Sequence, residues 1–362
     1  FAAFRLATAG SALRLQAAAE LASATSTLGI LDTLLELVDE LVQANVSDPV
    51  LPDYLIACCR LGIALQRAGW PEHVERVLGR VQPDLVSWSN ANAEVRAWTL
   101  LLRAELADHA GDPARSLDLT REARLAFMEC GDRRWACVCR GNAGSATLAL
   151  GGYEEARAEL GLAIHEATSS NLAQSAIMQL NLGLAEARDG ELRSAVGNLR
   201  SSLQSLSDST DWRVLSAGHR YLAEALALSG RTEEAEMEAR MAIDLAEPSP
   251  ALRAQALSML ALVLLATPRI MEAFMSASQA MEMLVSLGGV AEDEARVRLV
   301  YAMSLDAMGH ARSARDAYDG ARRRLLARAN RISDPCWRES FLQRVLDHQR
   351  TLALAAARCI DE

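Results

Sequence analysis

Apolar residues recur at i, i+3, i+4 and i+7 through most of the chain, in runs that break at Gly, Pro or short polar clusters. This spacing predicts a succession of amphipathic helices. Longer-range order is visible in the small residues. Gly62, Ala104, Gly144, Gly183, Ala223, Ala261 and Ala302 each stand inside an apolar-periodic run. Seven residues on come Gly69, Gly111, Gly151, Gly190, Gly230, Pro268 and Gly309, a helix terminator every time. Five further lie Val74, Ser116, Ala156, Ala195, Ala235, Ala273 and Ala314, and seven beyond those Val81, Ala123, Ala163, Ser202, Ala242, Ala280 and Ala321. Successive units are 42, 40, 39, 40, 38 and 41 residues apart, a period that marks stacked supersecondary units.

Each unit reads as a helix, a tight turn and an antiparallel second helix, with small residues where the two backbones come closest. One hairpin cannot bury its own apolar face, so neighbours must stack. The predicted fold is therefore all-α: a right-handed α-solenoid of stacked antiparallel helix hairpins whose first helices line a concave surface. The spacing of small residue, Gly turn and small residue resembles the tetratricopeptide repeat (TPR-like) family. The best match is Gly144 to Ala163, where Gly151-Gly152-Tyr153-Glu154-Glu155-Ala156 looks like that family's turn and second-helix opening, and Gly230-Arg231-Thr232-Glu233-Glu234-Ala235 is next. The resemblance covers about Pro52 to Arg328. It departs from the family in a repeat of about 40 residues against about 34, and in lacking most of the large aromatic positions.

The ends differ from the middle, as terminal units of a repeat array should. Residues 1–46 read as a degenerate N-terminal helix hairpin, with helices over Phe1 to Ala22 and Leu28 to Val46 and Ser23 to Thr27 between them. Residues 47–329 hold seven TPR-like repeats, and residues 330–362 a C-terminal capping helix. Asp334 is placed to N-cap that helix and Pro335 to open it, and Trp337, Phe341, Leu342 and Val345 fall on one face, positioned to cover the last repeat. The stretch from Ile332 to Leu342 also looks like the ending of helical-repeat tails on large bacterial signalling proteins, such as multidomain Ser/Thr kinases and STAND-type ATPases. The chain opens at Phe1 and reads as a piece of such a protein.

Composition narrows the function classes. The 37 basic residues against 47 acidic ones give a formal charge of -10, which argues against nucleic acid as a partner. Every basic residue is Arg, so this segment supplies no Walker-type Lys, no kinase active-site Lys and no Schiff-base anchor. No apolar stretch is long enough to span a bilayer, so no membrane partner is expected. Seven cysteines without framework spacing suit a reducing cytoplasm.

The chemistry-bearing motifs are absent: no Gly-x-Ser-x-Gly, His-Glu-x-x-His, phosphate loop or Cys-x-x-Cys occurs. Cys137 and Cys139 lie about 200° apart around a predicted helix and read as filler, not as metal ligands. No cofactor and no metal are expected. Glu154-Glu155 and Glu233-Glu234 open second helices, where carboxylates favour the positive dipole end. Arg322-Arg323-Arg324 reads as a solvated face.

Binding is the more informative question. In the resembled family an Asn two residues before the small residue of a first helix holds a peptide's backbone, because one amide both donates and accepts. Asn142 and Asn181 hold that position here, while Arg60, Leu102, Tyr221, Met259 and Val300 fill it elsewhere. The same mapping turns Arg188, Arg220 and Glu224 inward, with Trp98 and His109 further toward the N-terminus. The expected ligand-binding residues are thus Asn142, Asn181, Arg188, Arg220, Tyr221 and Glu224. The family's Lys positions carry no Lys, which favours an internal peptide or a domain surface over a C-terminal carboxylate as the ligand. The first expectation is a non-enzymatic protein- or peptide-binding scaffold, the sensor or interaction region of a larger signalling protein with an attached effector domain. The second is a solenoid that senses a small molecule and so biases that effector. The third is a thiol hydrolase built on a cysteine such as Cys139 with a His from the next repeat.

Overall fold

The structure, a computed structural model, describes residues 2–28, 31–46, 48–169, 175–209, 211–289 and 292–359. It is an all-α fold, and the described residues contain no strand. The chain divides into two compact units, the first made of Phe1–Asp108 and Arg115–Arg140 and the second of His109–Ala114 and Gly141–Glu362.

The helices run α1 (Ala2–Leu6), α2 (Ala12–Leu28), α3 (Leu31–Gln43), α4 (Leu51–Arg67), α5 (Pro71–Ala91), α6 (Ala93–His109), α7 (Pro113–Glu129), α8 (Arg133–Ala149) and α9 (Tyr153–Ser169). They continue as α10 (Ser175–Arg188), α11 (Leu192–Ser205), α12 (Trp212–Leu228), α13 (Thr232–Leu245), α14 (Pro250–Leu264), α15 (Ile270–Ser286), α16 (Glu294–Ala307) and α17 (Ala311–Ala329), and end in α18 (Pro335–Gln343) and α19 (Leu346–Cys359). The seven sequence registers fall on the seven pairs from α4/α5 to α16/α17. Gly69, Gly111, Gly151, Gly190, Gly230 and Gly309 all hold positive φ between the two helices of a pair, a conformation that costs any residue with a Cβ.

The small residues have a steric cause. A Cβ added at Gly144 would lie 2.6 Å from Leu160 Cγ, and one at Gly183 would lie 2.6 Å from Leu199 Cγ. Leu160 and Leu199 belong to the second helix of the same pair, so a side chain at either glycine would collide with the leucine packed over it. In the second unit α10, α12 and α14 each pack on the following first helix, and α11, α13 and α15 fill the layer behind them. The first unit buries a continuous apolar core centred on Trp98, whose ring meets Phe127 at 5.3 Å and Trp135 at 4.4 Å.

Both termini depart from expectation. The first expected helix is interrupted at Gly10, with φ +73, and α2 runs unbroken through Ser23 to Thr25 to end at Leu28, before α3 begins at Leu31. Ser23 and Thr25 tolerate the helix because their hydroxyls turn back onto the carbonyls of Ala19 and Leu21. At the other end the single capping helix is two, α18 and α19, separated at Arg344 and Val345. Asp334 does cap α18, accepting from the amides of Cys336 and Trp337, and Phe341 is buried.

Candidate functional site

The two C-terminal helices do more than cover the last hairpin. α19 packs on α16 and α17, while α18 reaches back to the α8–α9 turn. There Tyr153 Oη donates to the Arg344 carbonyl at 3.1 Å, and a Cβ at Gly151 would meet the Ser340 carbonyl at 3.0 Å. The bare Gly151-Gly152 turn therefore lets the later helix seat against it.

Beneath α19 lies a buried cluster of charges. Arg188, ending α10, grips Glu224 of α12 with both arms of its guanidinium, Nε to Oε1 at 2.7 Å and Nη2 to Oε2 at 3.1 Å. Glu224 Oε2 also accepts from Arg296 Nη2 of α16 at 2.7 Å, and Arg296 Nε donates to Asp347 Oδ2 of α19 at 2.9 Å. Asp293, which precedes α16 in the left-handed region at φ 56, accepts from Arg220 and lies 3.7 Å from Arg296 Nη1. Three guanidinium groups thus face three carboxylates, and the exposed Glu292 adds a contact of 3.3 Å to Arg220 at the rim.

The side chains of Arg220 and Arg296 are only 3% exposed, so their charges survive burial only because each is matched. The local balance sets the ionisation. Burial works against the charged form of Glu224, yet Arg188 and Arg296 outweigh it and hold the carboxyl down to about 2. Burial likewise opposes Asp293, and Arg220, Arg296 and Arg188 keep it well below the usual carboxylate range. His348, one residue after Asp347, is pushed down to about 3 by burial. Its Nδ1 lies 2.7 Å from the Phe341 carbonyl.

Four of the six expected binding residues therefore come together, but as partners of one another. Arg188, Arg220 and Glu224 are committed to the cluster, and Tyr221 is buried with its ring under the Arg220 guanidinium at 4.8 Å. Asn142 and Asn181 stand apart from it on α8 and α10. Asn181 Nδ2 donates to Ser145 Oγ at 2.7 Å, and both amides are half-buried. Trp98 is core, not lining. Arg296, Asp293 and Asp347 were not expected. Arg296 occupies a register position that is apolar in Ile56, Trp98 and Val138, and a charge there is the one sequence signal of the cluster.

Beside the cluster is a cavity of about 320 Å³. Its charged lining is Arg188, Glu224, Arg296, Asp347 and Arg350, and Met259, Val263, Met303 and Leu346 belong to its apolar lining. Among the described residues no group of three His, Cys, Asp or Glu could hold a metal ion, and no helix is long and apolar enough to cross a membrane. Burial pushes the Cys139 thiol up to about 12, the reverse of what a nucleophilic cysteine needs. Arg322 and Arg323 pair with Asp319, and Arg324 with Glu294.

No protein-family model and no curated protein sequence matches the chain. Solved structures do. A Rap protein complexed with Competence and Sporulation Factor aligns at a TM-score of 0.66 and 12% identity, over 95% of this chain and 98% of that one. NprR in complex with its cognate peptide NprX aligns at 0.66 and 13%, over 96% and 98%. Aspartyl phosphate phosphatase F from Bacillus subtilis aligns at 0.50 and 11%, over 96% and 95%. At these identities the likeness is one of fold: the chain is a TPR-like helical-repeat structure.

Proposed function

We propose that the chain is a non-enzymatic protein- or peptide-binding scaffold, the sensor or interaction region of a larger bacterial signalling protein, which holds its ligand on the face made by the first helices near Asn142 and Asn181. The observation that carries this reading is the pair of amides at one register position of α8 and α10. Asn181 spends one Nδ2 hydrogen on Ser145, and its carbonyl oxygen remains to accept from a ligand's backbone. Two proteins of the same fold carry a named factor or a cognate peptide in their crystals, which supports the reading by analogy of fold. Arg188, Arg220, Tyr221 and Glu224 act here as the framework that fixes the neighbouring helices, not as ligand contacts.

A peptide array or pulldown with the full chain tests this. Captured peptides should bind at least about tenfold more weakly to the Asn142→Ala, Asn181→Ala double variant, as expected when bonds to a ligand's main chain are lost. Binding indifferent to that variant, or no captured peptide, overturns the reading.

A further inference from the structure

The charged wall of the cavity leaves one guanidinium without a partner among the described residues. Arg188 is matched by Glu224, and Arg296 by Glu224, Asp293 and Asp347. Arg350, one turn after Asp347 on α19, lines the same cavity, is exposed at its edge and pairs with no carboxylate among the described residues. Arg350 is thus the one guanidinium of the lining that the cluster's carboxylates leave unpaired. The same cavity has an aliphatic lining: Met259 and Val263 from α14, Met303 from α16 and Leu346 from α19. A volume of about 320 Å³ lies at the small end of the range for small-molecule sites. The two thioethers let that wall adapt to an irregular or flexible tail.

We propose that this cavity binds a small amphipathic carboxylate, with its aliphatic tail against Met259, Val263, Met303 and Leu346 and its carboxylate on Arg350. The charges already present select the sign of the ligand. A cationic head would meet Arg350 with no free carboxylate to receive it, because Glu224 and Asp347 are committed to Arg188 and Arg296. A neutral head would give Arg350 no opposite charge to meet. An anion completes the wall and adds a charge-assisted bond. The site is separate from the Asn142 and Asn181 amides and does not depend on their role.

Calorimetric titration of the full chain with sodium octanoate, octylamine and 1-octanol tests this. Octanoate should bind saturably, and octylamine and octanol at least about tenfold more weakly. Arg350→Glu, at an exposed position, should weaken octanoate by about tenfold or more, while Arg350→Lys keeps most of the affinity. Leu262→Trp, which places a large ring in the lining, should abolish binding in a chain whose helix content is unchanged by circular dichroism. The Asn142→Ala, Asn181→Ala variant should bind octanoate as the parent does, so loss of peptide binding and loss of this site are told apart. No saturable octanoate binding, equal binding of octylamine, or affinity unmoved by Arg350→Glu overturns the proposal.

Discussion

One ion pair occurs twice in this molecule, at the same register in each compact unit. Arg67, ending α4, holds Glu105 of α6 through Nε at 3.1 Å and Nη2 at 2.7 Å. Arg188, ending α10, holds Glu224 of α12 through the same two nitrogens at 2.7 Å and 3.1 Å. The bonds are alike and their surroundings are not. The Arg67 side chain is 49% exposed, that of Arg188 14%. Around Arg67 water reaches the guanidinium and screens the pair from that side, although Glu105 is itself only 16% exposed. Around Arg188, Arg296 and Asp347 extend it into a network under α19. A pair of equal geometry is thus a minor surface contact in one unit and part of a buried lock in the other, because burial, not bond length, decides what its loss costs.

The largest effect should come from opening the lock. Arg296→Ala leaves Glu224, Asp293 and Asp347 buried without the guanidinium they share, and we expect a loss of about 3–5 kcal/mol, read from urea unfolding of the full chain. A loss no greater than that of Arg67→Ala would show the two environments to be equivalent.

Acid should separate the two regions next. His348 stays neutral in the folded chain to about 3, while an unfolded histidine titrates near 6.5, so the unfolded state takes up a proton first and stability falls as pH drops from about 6.5 toward 3. Glu224, held to about 2 from an ordinary value of 4.5, adds a second loss as pH falls from about 4.5 to 2. Each should contribute a slope of at most about 1.4 kcal/mol per pH unit inside its window. A His348→Asn chain should be flat from about 6.5 to 5 if that residue is the cause, and a persistent slope there rules it out.

A steric test of the second unit follows. Gly183→Val drives a Cβ into Leu199 and should cost about 1–3 kcal/mol in the same unfolding assay; no change would mean that the close approach of α10 and α11 is slack. The smallest effect should be Arg67→Ala, under about 1 kcal/mol and shrinking as salt is raised. A larger, salt-insensitive loss would erase the contrast between the pairs.

The hairpin register could be read along the chain because its causes are local. A glycine at positive φ seven residues after a small residue, as in Gly144 with Gly151 or Gly183 with Gly190, fixes a turn and a close approach within one unit. The run from Ser23 to Thr27 misled because clustered Ser and Thr mark loops on average, while here the Ser23 and Thr25 hydroxyls, satisfied by the preceding turn, let the helix continue. Arg188, Arg220 and Glu224 are buried and paired in one cluster, so the availability to a ligand that the mapping assumed did not follow. Their partners Asp293, Arg296 and Asp347 come from segments 72 and 51 residues apart in the cluster's longer bonds, and no periodicity encodes such pairing. Asn142 and Asn181 lie outside the cluster, and Asn181 spends a hydrogen on Ser145 instead.

The bond from Tyr153 to the Arg344 carbonyl joins positions 191 residues apart, and it changes what kind of object the second unit is. An array in which each hairpin touches only its neighbours frays from its ends and unfolds in pieces. Here the last helices are fastened back to an early turn, closing the row into a loop with no free end inside it. Denaturation of this unit should then be a single concerted event, and its refolding slow for an all-helical protein, since the closing contact must wait for ordering of everything between.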